Sequence, residues 1–528
     1  MYFRKYTIII ICLLIINTSP LIFSKENTIF YSETNNYSKQ FKYANTNEDL
    51  DPLVDLELTV EINKIRAFDI IDEHSDPDFY VKVFINDNEF KSPVWRNTKY
   101  VENPDWSATW DVPDNEENVT IKIQLWDWNI GLNRLCDIAP DNQEKRVRDI
   151  ELTYNLRIGH WYGDDYTDNE STWADPSGYG RLNGCDDNSV NREDRDCELF
   201  FNIFQNDYDG DNLPYWSEVY VYETDPEIDN TGLDSDNDGV PIEWEHKWGW
   251  YISWRGIDLV FNPFLWEDHK NFDSDKDGLD NYEEYLTSEW GSDPFRRDLF
   301  IEVDQMEVGP NGEGHLIPEE SKIMWREPYH KHNVVFHLDD GSLGGGDILQ
   351  FDSNTSNNEL RNYYLNNFLN GDLNHWRRGV FHYGLVIYHS GQYPGFVFNG
   401  GQGPYLDSWQ ISTYHHDDLA RTNPIYSYLR VGSFDRDVRR ARIYAGAMMH
   451  ETGHTLGIFG SNTPGCDDQN GKYPWQVDYW RWGNYKSVMN YRYVYTGLDK
   501  IDYSDGSHGR NDFDDWSRID FQFFQRAL

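Results

Sequence analysis

The chain has 528 residues, of which 46 are Lys or Arg and 92 are Asp or Glu, giving a formal charge of −46. Such a length exceeds one ordinary hydrophobic core and predicts about three folded units. The acidic excess argues against a nucleic-acid partner and against passive adsorption to anionic membranes, and favours hard cations such as calcium; an aromatic content of 16% excludes disorder throughout.

The opening stretch, "MYFRKYTIIIICLLIINTSPLIFSKEN", sets Arg4 and Lys5 before an apolar run from Ile8 to Ile16, with Ser19, Pro20 and Ser24 beyond it. A basic start, a short apolar centre and a small residue near the end predict a secretory signal peptide over residues 1–24. The run is too short to span a bilayer comfortably, so the expected destination is secreted or the extracellular surface. Residues 25–54 are polar and aperiodic and read as a linker. Cys12 falls in the signal; Cys136, Cys185, Cys197 and Cys466 remain. Cys185 and Cys197 bracket the polar loop "CDDNSVNREDRDC" and could close it as a disulfide in an oxidising compartment.

From Leu56 the text alternates apolar and polar residues in "DLELTVEINKIRAF", "FYVKVFIND", "WSATWDV" and "VTIKIQLWDW". That period of two predicts strands, and turn-rich separators predict an all-β sandwich over 55–205. "SDPDFYVKVFIND", "ENPDWSATWDV" and "IQLWDWN" together resemble a C2 domain. The resemblance implies acidic loops at one end of the sandwich, with Asp76, Asp69 or Asp72, and Asp127 as calcium candidates, and Asn129 where an aspartate is common. It also implies that membrane contact, if any, runs through this unit.

Residues 206–295 hold an internal repeat. "DYDGDNLPYWSE", "DSDNDGVPIEWE" and "DSDKDGLDNYEE" each place carboxylates at loop positions 1, 3 and 5 and a glutamate at 12. The expected ligands are Asp207, Asp209, Asp211 and Glu218; Asp234, Asp236, Asp238 and Glu245; and Asp273, Asp275, Asp277 and Glu284. A loop folded back on itself converges short side chains from alternate positions, and a carbonyl at position 7 (Leu213, Val240, Leu279) with a bidentate Glu completes an oxygen cage for structural Ca²⁺. Gly239 and Gly278 supply the turn at position 6, and Asn212 substitutes for glycine in the first copy. The flanking "YETDPEID" and "GSDPF" resemble thrombospondin type-3 and EF-hand-like modules, in which calcium is mainly structural.

Residues 296–528 mix strand text ("LFIEVD", "NVVFHLDD", "VFHYGLVIYH", "DSWQIST") with helical text ("NELRNYYLNNFLN", "DRDVRRARIYAGAMMHETGHTLG"), which predicts an α/β domain. In the last helix Val438, Ala441, Ala445 and Met448 recur at helical spacing as the face that packs on the sheet. His450 and His454 lie one turn apart, so both imidazoles can reach one zinc, and Glu451 projects toward the same cleft as a proton acceptor for the attacking water. Gly457 ends the helix. "HETGHTLG" followed by "YKSVMNYRY" resembles the metzincin zinc metallopeptidases with their Met-turn. The resemblance implies His450 and His454 as ligands, Glu451 as base, Met489 as the floor of the site and Tyr491 as a catalytic residue assisting at the metal. It departs from that family where Gly460 stands in place of the third ligand. Asp467 is the favoured substitute, with Asp468 and Cys466 as alternatives; Asp505, His508 and Asp512 are more distant and could build another ion site.

The fold class expected is therefore multidomain: a C2-like β-sandwich, a calcium-loop repeat segment and a metzincin-like α/β domain. The expected function is a secreted metalloendopeptidase with catalytic Zn²⁺ and structural Ca²⁺, acting on protein or peptide substrates, with "LDSWQIST" as an edge strand that pairs with extended substrate. The alternative is a catalytically inactive, calcium-dependent surface adhesion protein.

Overall fold

The structure, a computed structural model, describes residues 49–527 except 73–74, 141–146, 166–179, 188–189, 191–193, 254–255, 260, 392–394, 398–404, 422–434 and 495–500. The expected signal peptide and most of the expected linker lie outside the described residues. Everything described belongs to one compact unit, Asn45–Leu528. Among the described residues no helix is long and apolar enough to cross a membrane.

The alternating segments form two facing antiparallel sheets. The first orders β10 (Arg181–Asn183), β11 (Cys197–Gln205), β1 (Glu57–Ala67) and β4 (Tyr100–Val101), with β5 (Trp106–Asp111) also on β1. The second orders β3 (Asn88–Lys91), β2 (Phe79–Ile85), β6 (Asn118–Asp127), β8 (Ile150–Asn155) and β9 (His160–Gly163), with β7 (Arg134–Leu135) on β6. Val119, Ile121, Ile123 and Leu125 of β6 are buried against Leu58, Val60 and Ile62 of β1, as alternation requires. Leu50, inside the stretch expected to be linker, already packs into this core.

The Cys185–Cys197 bridge expected from the sequence is not formed. Both cysteines are buried and outside any disulfide, as are Cys136 and Cys466. Successive strand residues point to opposite faces. Cys197 enters the sandwich core beside Cys136, while Cys185 Sγ lies 3.6 Å from Asp196 Oδ2 on the other side.

After β11 come a short helix α1 (Tyr215–Ser217), α2 (Ile242–Gly249), the hairpin β12 (Trp250–Ser253) and β13 (Gly256–Leu259), and α3 (Asn281–Leu286). The third sheet orders β15 (Val335–Asp339), β14 (Asp298–Met306), β17 (Phe381–Ile387), β19 (Ser408–Ser412) and β18 (Gly395–Val397), with β16 (Ile348–Leu349) on the end of β14. All pairs are parallel except β18 on β19. The remaining helices are α4 (Glu319–Lys331), α5 (Asn357–Tyr363), α6 (Thr413–Arg421), α7 (Arg436–Thr455) and α8 (Val477–Arg481). α4 and α7 share one apolar core through Trp325, Tyr329, Tyr444, Ala445 and Met448. Val438, expected on that buried face, is instead 41% exposed, because it sits in the first turn beside its N-cap Asp435. The expected edge strand also differs: β19 is interior and fully buried, and β18 forms the edge.

A buried ionic cluster ties the sandwich to α4. Glu198 on β11 meets Arg66 on β1 at 3.2 Å, Arg181 on β10, and His330 Nδ1 on α4 at 3.1 Å. Burial pushes the Glu198 carboxyl up, but Arg181 and His330 outweigh it and hold it well below the usual range. Arg181 and Asn183 also donate to the His330 carbonyl at 3.1 and 3.0 Å.

Buried neutral histidines give the fold an acid limit. His382 on β17 lies 2.8 Å through Nδ1 from Thr455 Oγ1, and burial lowers it from 6.5 to about 3. The unfolded chain takes a proton there below pH 6.5 that the folded chain refuses until about pH 3. The contribution is thus present above pH 6.5 and lost as pH falls, at roughly 1.4 kcal/mol per unit. His382→Asn is expected to flatten the acid limb of thermal denaturation by on the order of 5 kcal/mol. An equally steep acid limb in calcium-saturated variant would contradict this burial.

Candidate metal centres

Helix α7 carries His450 and His454 on its last turns, both buried. His450 Nδ1 lies 2.8 Å from the Val488 carbonyl and His454 Nδ1 2.7 Å from the Ile458 carbonyl, so each Nδ1–H has a backbone acceptor. That arrangement leaves both Nε2 lone pairs facing the same point, as a metal ligand needs. The helix then stops at Gly457, whose φ of 87° favours glycine, and the Ile458 amide closes on the Gly453 carbonyl at 2.9 Å.

The loop after it answers what Gly460 leaves missing. Thr463 N donates to the Phe459 carbonyl at 2.8 Å, Cys466 N to the Thr463 carbonyl at 3.1 Å, and Asn462 Nδ2 to the Gly457 carbonyl at 2.7 Å. The segment folds onto itself and delivers Asp467, at φ 56°, back to the histidines. Its Oδ1 is 3.2 Å from His450 Nε2 and its Oδ2 3.3 Å from His454 Nε2. One ligand atom from each of the three residues lies within 4.8 Å of the others. Asp468 is turned away, accepting from Trp482 Nε1 at 2.7 Å and Asn470 N at 2.8 Å. Cys466 packs into the core. Asp505, His508 and Asp512 form a separate group.

Glu451 is buried, and its Oε2 makes no hydrogen bond among the described residues; Asp467 Oδ1, though 3.2 Å from His450 Nε2, meets it without hydrogen-bond geometry. Burial raises Glu451 to about 7, against the lowering effect of both histidines. Burial lowers His450, but Asp467 reverses this and brings it up to about 9, while the two histidines hold Asp467 far below the carboxylate range. A dication has this donor set: two aimed imidazoles, an anionic oxygen and one orphaned carboxylate beside them.

Met489 lies under the helix, and its turn is braced by Asn490 Nδ2, which donates to the carbonyls of Trp482 and Tyr485 at 3.0 and 2.9 Å. A Cβ added at Gly453 would sit 2.6 Å from Met489 Sδ and 3.0 Å from Tyr503 Cε1. Gly453→Ala would raise stability by about 1 kcal/mol in an ordinary helix interior. Here it is expected to lower stability by about 1–3 kcal/mol and to weaken any metal held by His450 and His454, read by melting and metal titration. A higher melting temperature would show that Met489 does not press on this turn. The Tyr491 ring stacks on His450, centroids 5.6 Å apart, and Lys472 Nζ lies 4.4 Å from the Tyr491 ring centroid.

The three repeat loops share one backbone geometry. Positive φ recurs at positions 4 (Gly210, Asn237, Lys276) and 6 (Asn212, Gly239, Gly278). The position-6 amide donates to the first aspartate at 3.1, 3.0 and 3.1 Å, and the position-7 amide to the third at 2.8, 3.1 and 2.7 Å. The same oxygens are orphaned each time: Oδ2 of Asp209, Asp236 and Asp275, and at least one oxygen of Glu218, Glu245 and Glu284. Burial and mutual repulsion raise Glu218 to about 8 and Glu245 to about 9, and raise Asp275, Asp277 and Glu284 well above normal. Carboxylates held together at this cost fit an oxygen-seeking cation.

The sequence missed the neighbours of these loops. Asp298 N donates to Asp277 Oδ2 at 2.6 Å, and Gln522 Nε2 to Asp273 Oδ2 at 2.8 Å, so the third loop is wedged between β14 and the chain's last turns. His269 stands beside the second loop. The C2-like candidates are largely engaged otherwise. Asp69 Oδ2 accepts the amides of Asp194, Arg195 and Asp196 at 2.7–3.2 Å, and Asp72 pairs with Arg134 at 3.4 Å. Asp127 accepts from Asp78 N at 2.9 Å and from Asn129, and Asp76 is exposed.

A family profile described as the C2 domain matches residues 56–136. No curated protein matches the chain. Among solved structures, a C2 domain is 12% identical, covering 28% of this chain and 97% of that one at a TM-score of 0.16. A C2 domain protein from Ramazzottius varieornatus is 13% identical, covering 28% and 87% at 0.18. Human GIVD cytosolic phospholipase A2 is 12% identical, covering 28% of this chain but 16% of that one at 0.17. The N-terminal sandwich therefore contains a C2 domain, by its matched profile and its paired sheets.

Proposed function

We propose that the chain is an exported, calcium-stabilised zinc endopeptidase of metzincin-like design. The observation that carries it is the meeting of His450 Nε2, His454 Nε2 and the Asp467 carboxylate beside an unsatisfied Glu451. Zinc bound by these three residues would supply a Lewis acid for the scissile carbonyl and make a nearby water more acidic. Glu451 takes the proton of the attacking water and returns it to the leaving amide nitrogen, a role for which its raised affinity for protons suits it. The His450-stacked Tyr491 is placed to meet charge developing on the carbonyl oxygen. Edge strand β18 runs beside Glu451, with the Gly395 backbone so near that a Cβ there would meet Oε1 at 2.4 Å; an extended peptide can pair along that edge.

The test is a purified full chain given zinc and calcium, assayed on casein and on a library of extended peptides. Cleavage with about one zinc required per chain supports the reading. A chain that binds zinc stoichiometrically yet cleaves nothing would favour the inactive adhesion alternative. The C2 domain supports a surface location, since Ile70, Ile130 and Leu132 at its loops are 64%, 95% and 81% exposed. Vesicle sedimentation, with no binding at any calcium level, would remove that part.

A further inference from the structure

We infer that the second repeat loop binds a borderline transition-metal dication, zinc being the probe, through His269 together with Asp238 and Glu245, rather than calcium in an all-oxygen cage. The inference rests on the metal-binding reading of the loops but not on the catalytic one.

His269 is 1% exposed, and its Nε2 points into the second loop, 3.1 Å from Asp238 Oδ2 and 3.9 Å from Glu245 Oε1. Neither Nε2 nor Glu245 Oε1 makes a hydrogen bond among the described residues. A buried imidazole nitrogen and a buried carboxylate oxygen thus face each other without satisfying each other. One atom from each of the three residues lies within 4.8 Å of the others, a bound the His450, His454 and Asp467 group also meets. Donors around a tetrahedral zinc with bonds of ~2.0 Å stand about 3.3 Å apart, which small side-chain shifts reach from here.

The ring is held rather than loosely placed. Trp244 and Phe261 meet it edge-on, with centroids at 6.0 and 5.4 Å. The Asn281 amide lies 3.0 Å from Nδ1. With its Nδ2 toward the ring, Asn281 Oδ1 has no partner. Turning that amide over pairs the oxygen with Nδ1–H and leaves the Nε2 lone pair facing the two carboxylates.

The other two loops lack this nitrogen. In all three, Oδ2 of the position-5 aspartate accepts an amide from downstream: Asn230 N on Asp211 at 2.9 Å, Glu267 N on Asp238 at 3.2 Å, and Asp298 N on Asp277 at 2.6 Å. At that corner the first loop places the Asn230 amide, which donates to Glu218 Oε1 at 3.3 Å, and the third places the Asp298 carboxylate. Only the second brings an imidazole two residues after the donor. Calcium selects oxygen donors, six to eight of them, whereas imidazole with carboxylates suits zinc, manganese or iron.

The full chain, stripped with chelator, is equilibrated with Ca²⁺ in large excess and titrated with Zn²⁺ alone, and both metals are counted on gel-filtered protein. Wild type is expected to hold two zinc equivalents, H269Q one, and H450Q/H454Q one. X-ray absorption of zinc-loaded H450Q/H454Q should show imidazole scattering. One zinc with three calcium equivalents in wild type, a zinc count unmoved by H269Q, or an oxygen-only shell in the absorption spectrum would overturn the inference. The wild-type counts decide the matter even if H269Q does not fold. Loss of zinc from H269Q without loss from H450Q/H454Q would instead sink the catalytic reading and leave this one standing.

Discussion

Glu451→Gln is expected to cut kcat/KM for peptide hydrolysis by about 10²–10⁴-fold while leaving zinc bound. The amide keeps the shape of the side chain and does not touch the contacts that aim His450 at the Val488 carbonyl and His454 at the Ile458 carbonyl. What it removes is a buried carboxylate beside the three candidate ligands whose Oε2 makes no hydrogen bond among the described residues. Asp467 cannot take over, because both of its oxygens face histidine nitrogens. The measurement is kcat/KM alongside zinc stoichiometry. Activity within a few-fold of wild type would remove Glu451 from the chemistry, and loss of zinc would reassign it as a ligand.

Calcium removal is expected to have the largest effect on stability. Each calcium-filled loop, the first and the third, contributes RT ln(1 + [Ca²⁺]/Kd), or about 2.7 kcal/mol when the ion stands at 100 times its Kd. Without ions, the carboxylates of each loop confront one another under burial, as the raised Glu218, Glu245 and Glu284 report. The third loop should dominate, because Asp277 anchors the first residue of β14 and Asp273 holds Gln522 from the chain's end. Asp275→Asn is therefore expected to lower the melting temperature more than Asp209→Asn, whose loop lies at the edge of the sandwich. Calorimetry in calcium and in a calcium chelator reads both. Equal melting in the two conditions would leave the loops as mere acidic turns.

Much of the fold was legible because period and spacing are local. The alternation in β1, β2 and β6 and the one-turn separation of His450 and His454 are fixed by backbone geometry alone. The third ligand candidate was harder, since Asp467 returns through a loop whose closure depends on Asn462 and Thr463. What stayed hidden was long-range. β18 covers β19 at the sheet edge although it comes earlier in the chain. Cys185 and Cys197 are close in sequence yet lie on opposite sides of one strand. His269 carries no motif; it reaches Asp238 only because the β12–β13 hairpin and the turn after it fold back on α2.

The Glu198 cluster bears on how this chain could be shortened. His330 leads, on the same helix, to Tyr329, whose hydroxyl lies 2.8 Å from that of Tyr503, and Tyr503 in turn donates to the Met449 carbonyl at 2.7 Å, one residue before His450. A fragment starting at Arg296 would keep every histidine and carboxylate of the centre yet strip the glutamate and two arginines from the back of α4. Wetting of that bare surface would loosen the very helix that backs the histidine turn, so the N-terminal sandwich is part of the scaffold and not a detachable passenger.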